Sequence, residues 1–154
     1  MAGVGMKLRI YIDTSVLSAY CDERAPERMA ETGEFWSRLS EFEASTSDLV
    51  REEIERTPDD ERRSLMLRLA GGTSEIPVTD EAHELAGKYV ERGLFSPAVY
   101  GDALHVAVAV LSRQDIIVSW NFKHLVNRRK RAQVNEVNAS LGLPMIEILA
   151  PSEL

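Results

Sequence analysis

A single cysteine, Cys21, stands among 154 residues, so no intramolecular disulfide can form, and nothing near it has metal-ligand spacing. That usage points to a reducing compartment, with Cys21 serving as a small semi-buried apolar residue. No Cys/His cluster suggests zinc. The longest apolar run, Val106 to Leu111, is far too short to cross a bilayer, and MAGVGMKLRI lacks the apolar core of a signal peptide. A cytoplasmic protein with no membrane association is therefore expected, with residues 6–150 as one domain behind a loose leader, Met1 to Gly5. Aromatic residues are scarce at 6%, but 44% hydrophobic residues suffice for a single core without staples. There is no internal repeat, low-complexity tract or linker. Positive charge is also short: the net charge is -7. That balance excludes a protein that coats nucleic acid through its global field, and leaves room for one local basic patch. Asn127-Arg128-Arg129-Lys130-Arg131, preceded by Lys123 and His124, is such a patch, and a solvated helix start accounts for it equally well.

What is present alternates. Met6 to Ile12 has the period of two expected of a strand, and residues 27–42 carry Met29, Trp36, Leu39 and Phe42 at helical spacing. Glu43 to Thr46 forms a short strand, after which Ser47 or Asp48 caps a helix through Leu49, Val50, Glu53 and Ile54. Thr57-Pro58-Asp59-Asp60 predicts another helix, with Pro at its first position, running to Gly71-Gly72. Glu75 to Val78 is a strand whose Pro77 suits a sheet edge or strand end. Thr79 caps a helix that Gly93 closes, and Ser96-Pro97 opens a helix, AVYGDALHVAVAVLS, apolar on nearly every side and therefore central. Strand IIVS, a helix around Ala132 to Leu141 and strand PMIEIL complete the order. Such alternation predicts an α/β fold, a three-layer sandwich with a mainly parallel sheet of about five strands. Ligands in such sheets bind beyond the carboxyl ends of the strands, where strand order reverses.

Three carboxylates fall at that edge. Asp13 directly follows the first strand, although Asp-Thr-Ser before an apolar helix is also ordinary N-cap chemistry. Glu52 and Glu53 follow the second strand, and Glu53, four residues after Leu49, lies nearer the buried face. Asp102 sits inside an apolar helix, where an unpaired carboxylate costs several kcal/mol or protonates. No Lys or Arg stands four residues to either side of it. His105, three residues on, is a possible partner, better read as a packed, satisfied histidine. Three converging carboxylates repel unless cations are present, and Mg2+ binds through a few carboxylates while keeping waters and substrate phosphates. The chemistry implied is phosphoryl transfer by metal-activated water.

YIDTSVLS, SDLVREEI, DALHVAVAV and IIVSWNFKHLVN, in that order, resemble PIN-domain ribonucleases, particularly the VapC-like toxins of toxin-antitoxin pairs. The likeness spans Leu8 to the last strand. It implies a PIN-like fold, cleavage of single-stranded RNA with Mg2+ or Mn2+, an antitoxin that blocks the site, and a homodimer. By position it places the family's first three acids on Asp13, Glu53 and Asp102. The fourth acidic position, usually Asp, falls on Asn121, the amide isostere, which is also an ordinary turn residue. Asn keeps one carbonyl oxygen but removes a charge. One tightly held ion, weaker metal affinity and a preference for Mn2+ are then expected, rather than loss of activity. Water activated by the metal would attack in line, leaving a 5'-phosphate and a 3'-hydroxyl. Thr14, Ser15 and Ser119 are candidates to hydrogen-bond water or phosphate. Arg128, Arg129 and Lys130 would guide the RNA backbone, and His124 is a candidate phosphate contact rather than a general base.

Other readings fit less well. A haloacid-dehalogenase-type phosphatase needs Asp-x-Asp after the first strand, and residue 15 is Ser; a receiver domain needs an acidic pair there, which Ile12-Asp13 does not supply. A nucleotide-binding domain needs a Gly-rich first loop, absent from DTSVLSAY. The remaining rival is a PIN-like scaffold without catalysis that binds protein or RNA. Asn121 is its only support.

Overall fold

A computed structural model describes residues 6–154. The leader proposed for residues 1–5 lies outside the described residues. Five strands, β1 (Arg9–Ile12), β2 (Glu43–Ser47), β3 (Ser74–Ile76), β4 (Ile116–Val118) and β5 (Glu147–Leu149), form an all-parallel sheet in the order β3-β2-β1-β4-β5. The chain adds strands in one direction from β1 to β3 and then crosses to the other side for β4 and β5. The order therefore reverses at β1 and β4, which pair in register Ile10 to Ile116 and Ile12 to Val118.

Seven α-helices among the described residues cover the sheet: α1 (Thr14–Tyr20), α2 (Pro26–Ser37), α3 (Asp48–Glu55), α4 (Asp60–Gly71), α5 (Asp80–Glu91), α6 (Tyr100–Leu111) and α7 (Arg128–Ser140). Helix α1 packs against α2, α3 and α4, and α5 packs against α6. The Tyr89 hydroxyl donates to Asn138 Oδ1 at 2.6 Å and ties α5 to α7. Helices thus lie on both faces, and the three-layer α/β/α arrangement is the one the alternation predicts. Every residue of α6 from Ala103 to Val110 is buried. Each Val there contributes about 1.5–3 kcal/mol relative to an exposed one, which is why this helix tolerates so little polarity.

Local signals explain most boundaries. Ser47, Asp59, Thr79 and Asn127 each accept a hydrogen bond from the backbone N–H three residues on, starting α3, α4, α5 and α7. Gly93 and Gly142 take φ of 80° and 68° where α5 and α7 end, a region that favours glycine. β3 is an edge strand that stops just before Pro77, which has no N–H to give a ladder.

Four expectations are corrected. The helix expected over residues 27–42 begins at Pro26, ends at Ser37 and gives way to a 3-10 turn, Leu39–Glu41, because the chain must become extended by Phe42 to enter β2. Asp59 rather than Thr57 caps α4, so Pro58 precedes the helix instead of occupying its first position. Ser96-Pro97 opens a 3-10 turn, Pro97–Val99, before α6. Finally, α7 starts at Arg128, because Asn127 caps it, and the basic residues form its first turn. Cations there oppose the helix dipole; the Asn127 cap and the burial of Val134 and Val137 outweigh that cost.

Candidate active site

β1 ends at Ile12, and Asp13 both caps α1 and faces the crevice between β1 and β4. Its carboxylate is 4% exposed. Oδ1 accepts from the Ser15 N–H at 3.0 Å and from the Ser15 hydroxyl, and Oδ2 accepts from the Ser119 hydroxyl at 2.7 Å. Each serine in turn accepts a backbone N–H from the β4 end: Trp120 to Ser15 at 2.9 Å and Asn121 to Ser119 at 2.9 Å. Ser15 and Ser119 therefore hold Asp13 and join the two strand ends. Burial pushes the Asp13 carboxyl above the usual carboxylate range, against the opposing influence of His105 and the serine hydrogen bonds.

Glu53 reaches the same place from α3. Its Oε1 accepts from Thr14 Oγ1 and pairs with His105 Nε2 at 2.8 Å. The other ring nitrogen of His105 bonds the Tyr11 hydroxyl at 2.7 Å, and Tyr11 bonds Ser47 Oγ at 2.7 Å. A buried chain of polar groups thus runs from the end of β2, through β1 and α6, to Glu53. Burial alone would raise the Glu53 carboxyl, but the hydrogen bond and charge of His105, with Thr14, hold it below its ordinary value. Burial would likewise lower His105, and the bond and charge of Glu53, helped by Asp13 and Asp102, hold it above. His105 is packed and satisfied as expected, but its carboxylate partner is Glu53, not Asp102.

Asp102 occupies the first turn of α6, the end of that helix nearest the carboxyl edge of the sheet. Among the described residues it has no ion-pair partner within 4 Å. Burial raises its carboxyl, opposed by the charges of His105 and His124 and by the Asn121 side chain, with Glu53 adding repulsion. Asn121 is a turn residue here, its Oδ1 accepting the His124 N–H at 3.0 Å, and its side chain lines the same cleft as Asp102, where it helps keep that carboxyl down.

Asp13, Glu53, Asp102 and Asn121 line one open cleft of about 360 Å³, together with Thr14, His105 and Arg56. Arg128, Arg129 and Lys130 do not line it. Lys130 donates to the Leu94 carbonyl and lies 4.4 Å from the centre of the Phe95 ring, while Arg128 faces a separate groove along α7. Two participants were not picked out from sequence, Tyr11 and Arg56. Tyr11 reads there only as one alternating strand residue. Arg56 stands one helical turn after Glu53, a spacing that shares a face.

Among the described residues no three or more His, Cys, Asp or Glu side chains are grouped closely enough to hold a metal ion by themselves. The oxygen donors around the cleft fit a different kind of site. Asp13, buried, and Asp102, half-buried, are carboxyl groups without a Lys or Arg partner, and carboxylate, hydroxyl and amide oxygens suit a hard ion that retains waters, such as Mg2+. They do not suit zinc.

No protein-family model matches the sequence, and no curated protein matches it significantly. Solved structures do match. A VapC toxin from Mycobacterium tuberculosis, described as cleaving the Sarcin-Ricin loop, superposes with a TM-score of 0.59 at 17% identity, over 89% of this chain and 98% of that one. A toxin-antitoxin complex from Klebsiella pneumoniae gives 0.57 at 14% identity, covering 79% and 93%. The VapBC2 complex from Rickettsia felis, bound to a fragment of promoter DNA, gives 0.53 at 10% identity, covering 93% and 98%. Among the described residues no helix is long and apolar enough to cross a membrane. With its parallel order β3-β2-β1-β4-β5 and this agreement over most of its length, the chain shares the three-layer fold of these VapC structures.

Proposed function

We propose that this protein is a divalent-metal-dependent endoribonuclease acting on single-stranded RNA, the toxin of a toxin-antitoxin pair. The observation that carries the reading is the meeting of Asp13, Glu53 and Asp102, from three different elements, in one cleft where strand order reverses. Asp13, Asp102 and Glu53 would hold Mg2+ or Mn2+, with the Asn121 carbonyl as a weaker neighbour. When bound, such an ion supplies a water acidified enough to act as nucleophile at neutral pH.

The rest of the work belongs to the chain. Ser15 and Ser119 fix both oxygens of Asp13, and Thr14 with His105 fixes Glu53, so these carboxylates lose little freedom when a ligand arrives. The Asn121 amide beside Asp102 offsets part of the repulsion among the acids. His105 is engaged at both nitrogens, and His124 lies within electrostatic reach of Asp102, a position from which it can meet a phosphate. A catalytically empty scaffold has no observation of its own, because the turn bond of Asn121 leaves its side chain lining the cleft with Asp102.

The toxin reading carries a small antitoxin as partner and a cytoplasmic location. A homodimer belongs to it too, and Met145, 74% exposed beside the α7 groove, is a surface a second chain would cover; light scattering giving only the monomer mass would remove that part. The enzymatic part is tested with a labelled single-stranded RNA pool incubated with Mg2+, Mn2+ or EDTA. Metal-dependent cutting that spares duplex RNA is expected. Absence of cutting by folded protein, free of any copurified inhibitor, would overturn it.

A further inference from the structure

The chain carries a net charge of -7, and its cleft adds several carboxylates, so an RNA strand approaching it is repelled over most of its path. A cation must receive the backbone somewhere. The basic first turn of α7 is a poor candidate: Lys130 is committed to the Leu94 carbonyl, Arg131 pairs with Glu147 at 3.5 Å, and none of its residues lines the cleft.

Arg56 is placed differently. It caps the C-terminus of α3, a helix end that favours a cation, and lines the cleft beside Glu53. Spacing of three residues would ordinarily pair it with Glu53, but Glu53 is taken by Thr14 and His105. Among the described residues the Arg56 guanidinium has no ion pair within 4 Å and no hydrogen bond. Arg56 also borders a second, adjoining groove of about 480 Å³ over the α3–α4 turn, where Arg24 and Arg62 lie. Arg62 is anchored by its bonds to Ser18, at 2.7 Å to the hydroxyl, and Arg24, 82% exposed, is paired with Asp22 at 2.9 Å, a surface bridge of the weak kind that a phosphate can displace. Of the two acids there, Glu53 is the one already taken by Thr14 and His105, and Asp59 is engaged in capping α4.

Resting on the ribonuclease reading, we propose that Arg56 clamps a backbone phosphate next to the scissile one, and that the RNA strand leaves the cleft over the α3–α4 turn along Arg62 and Arg24. The fork of a guanidinium suits two phosphate oxygens, and an unpaired one needs no ion pair broken to receive them. The contact carries affinity and position rather than sequence preference.

Fluorescence anisotropy of a labelled single-stranded RNA, in EDTA over a salt series, compares wild type with Arg56→Gln, Arg56→Lys, Arg24→Gln and the α7 control Arg128→Gln. Each lost phosphate contact should lower the slope of log K against log salt by about 0.7, which is about fourfold in affinity near 0.15 M salt. Arg56→Gln and Arg24→Gln should show that loss, Arg56→Lys should keep the slope, and Arg128→Gln should match wild type. Arg56→Lys should melt with wild type, and Arg56→Gln at most slightly lower, since the side chain makes no hydrogen bond and only its favourable charge at the helix end is lost. If wild type cuts RNA with metal while Arg56→Gln binds and cuts as wild type does, the path is wrong and the nuclease reading stands. Loss confined to Arg128→Gln would move the path to α7. If wild type neither binds nor cuts RNA, the nuclease reading falls and takes the path with it.

Discussion

His105 and Glu53, fifty-two residues apart in sequence, are bonded at 2.8 Å in the floor of the cleft, and this pairing determines which way the Glu53 carboxylate faces. The imidazole is 3% exposed and Glu53 30%. Tyr11 fixes the ring from its other side.

Removing the imidazole leaves Glu53 half-buried without its main partner and the Tyr11 hydroxyl without one of its two. His105→Ala is expected to cost about 2 kcal/mol in chemical denaturation at pH 7, less than for a fully buried pair because Glu53 remains partly hydrated. Tyr11→Phe should cost about 1–2 kcal/mol by orphaning His105 Nδ1. A cost under about 0.5 kcal/mol for both would mean the chain of bonds is not formed.

Without metal, the Asp102 carboxylate is a liability. Burial and Glu53 raise it, so Asp102→Asn should stabilise the protein in EDTA by about 1 kcal/mol, or roughly 2–4 °C in melting temperature. Asp13→Asn should gain less, because the amide cannot accept from both serines as the carboxylate does. A clear loss of stability in Asp102→Asn would contradict the repulsion inferred in the cleft.

The pH dependence follows with a definite sign. Asp13 and Asp102 bind protons more tightly folded than unfolded, so the stability they lend is lost as pH rises through their folded values. His105 acts in the same direction: its contribution is full below 6.5, its ordinary value, and disappears as pH passes its higher folded value. Glu53 acts oppositely, but only on the acid side of its ordinary 4.5. In EDTA, denaturant stability should therefore decline from about pH 6 to pH 8, and His105→Gln should flatten that decline. A rise over the same range would refute the assignment.

Much of this arrangement is legible in sequence because it is local. Ser47 and Thr79 announce helix starts by residue type, the apolar run around Asp102 announces a buried helix, and Asp13 stands out because a strand ends just before it. What is not legible depends on contacts between distant segments. Nothing near His105 points to Glu53 rather than Asp102, since which side of α6 faces α3 is settled by packing. The arginines and lysine of α7 look like an RNA contact as a string, yet Lys130 folds back onto Leu94 and Phe95. Thr14, Ser15 and Ser119 look like ligands for phosphate, and the structure spends each of them on a carboxylate.

Asn121→Asp tests the departure from the usual acidic pattern. The turn survives, because Asp still accepts the His124 N–H, but the neutral amide beside Asp102 is replaced by a negative charge. Stability in EDTA should fall by about 1 kcal/mol, and Mn2+ should bind at least about tenfold more tightly, since a unit charge about 4 Å from another carries about 4 kcal/mol at an effective dielectric of 20 before desolvation is deducted. Unchanged affinity would place residue 121 outside the cation's reach.

The measurement that bears most directly on the account is a Mn2+ titration followed by electron paramagnetic resonance, on wild type and Asp102→Asn side by side, with circular dichroism to verify both folds. The account predicts an ion bound to wild type that Mg2+ displaces, and affinity weakened at least about tenfold in the variant. Equal binding by the two folded proteins, or none by wild type, would contradict a metal centre built from Asp13, Glu53 and Asp102.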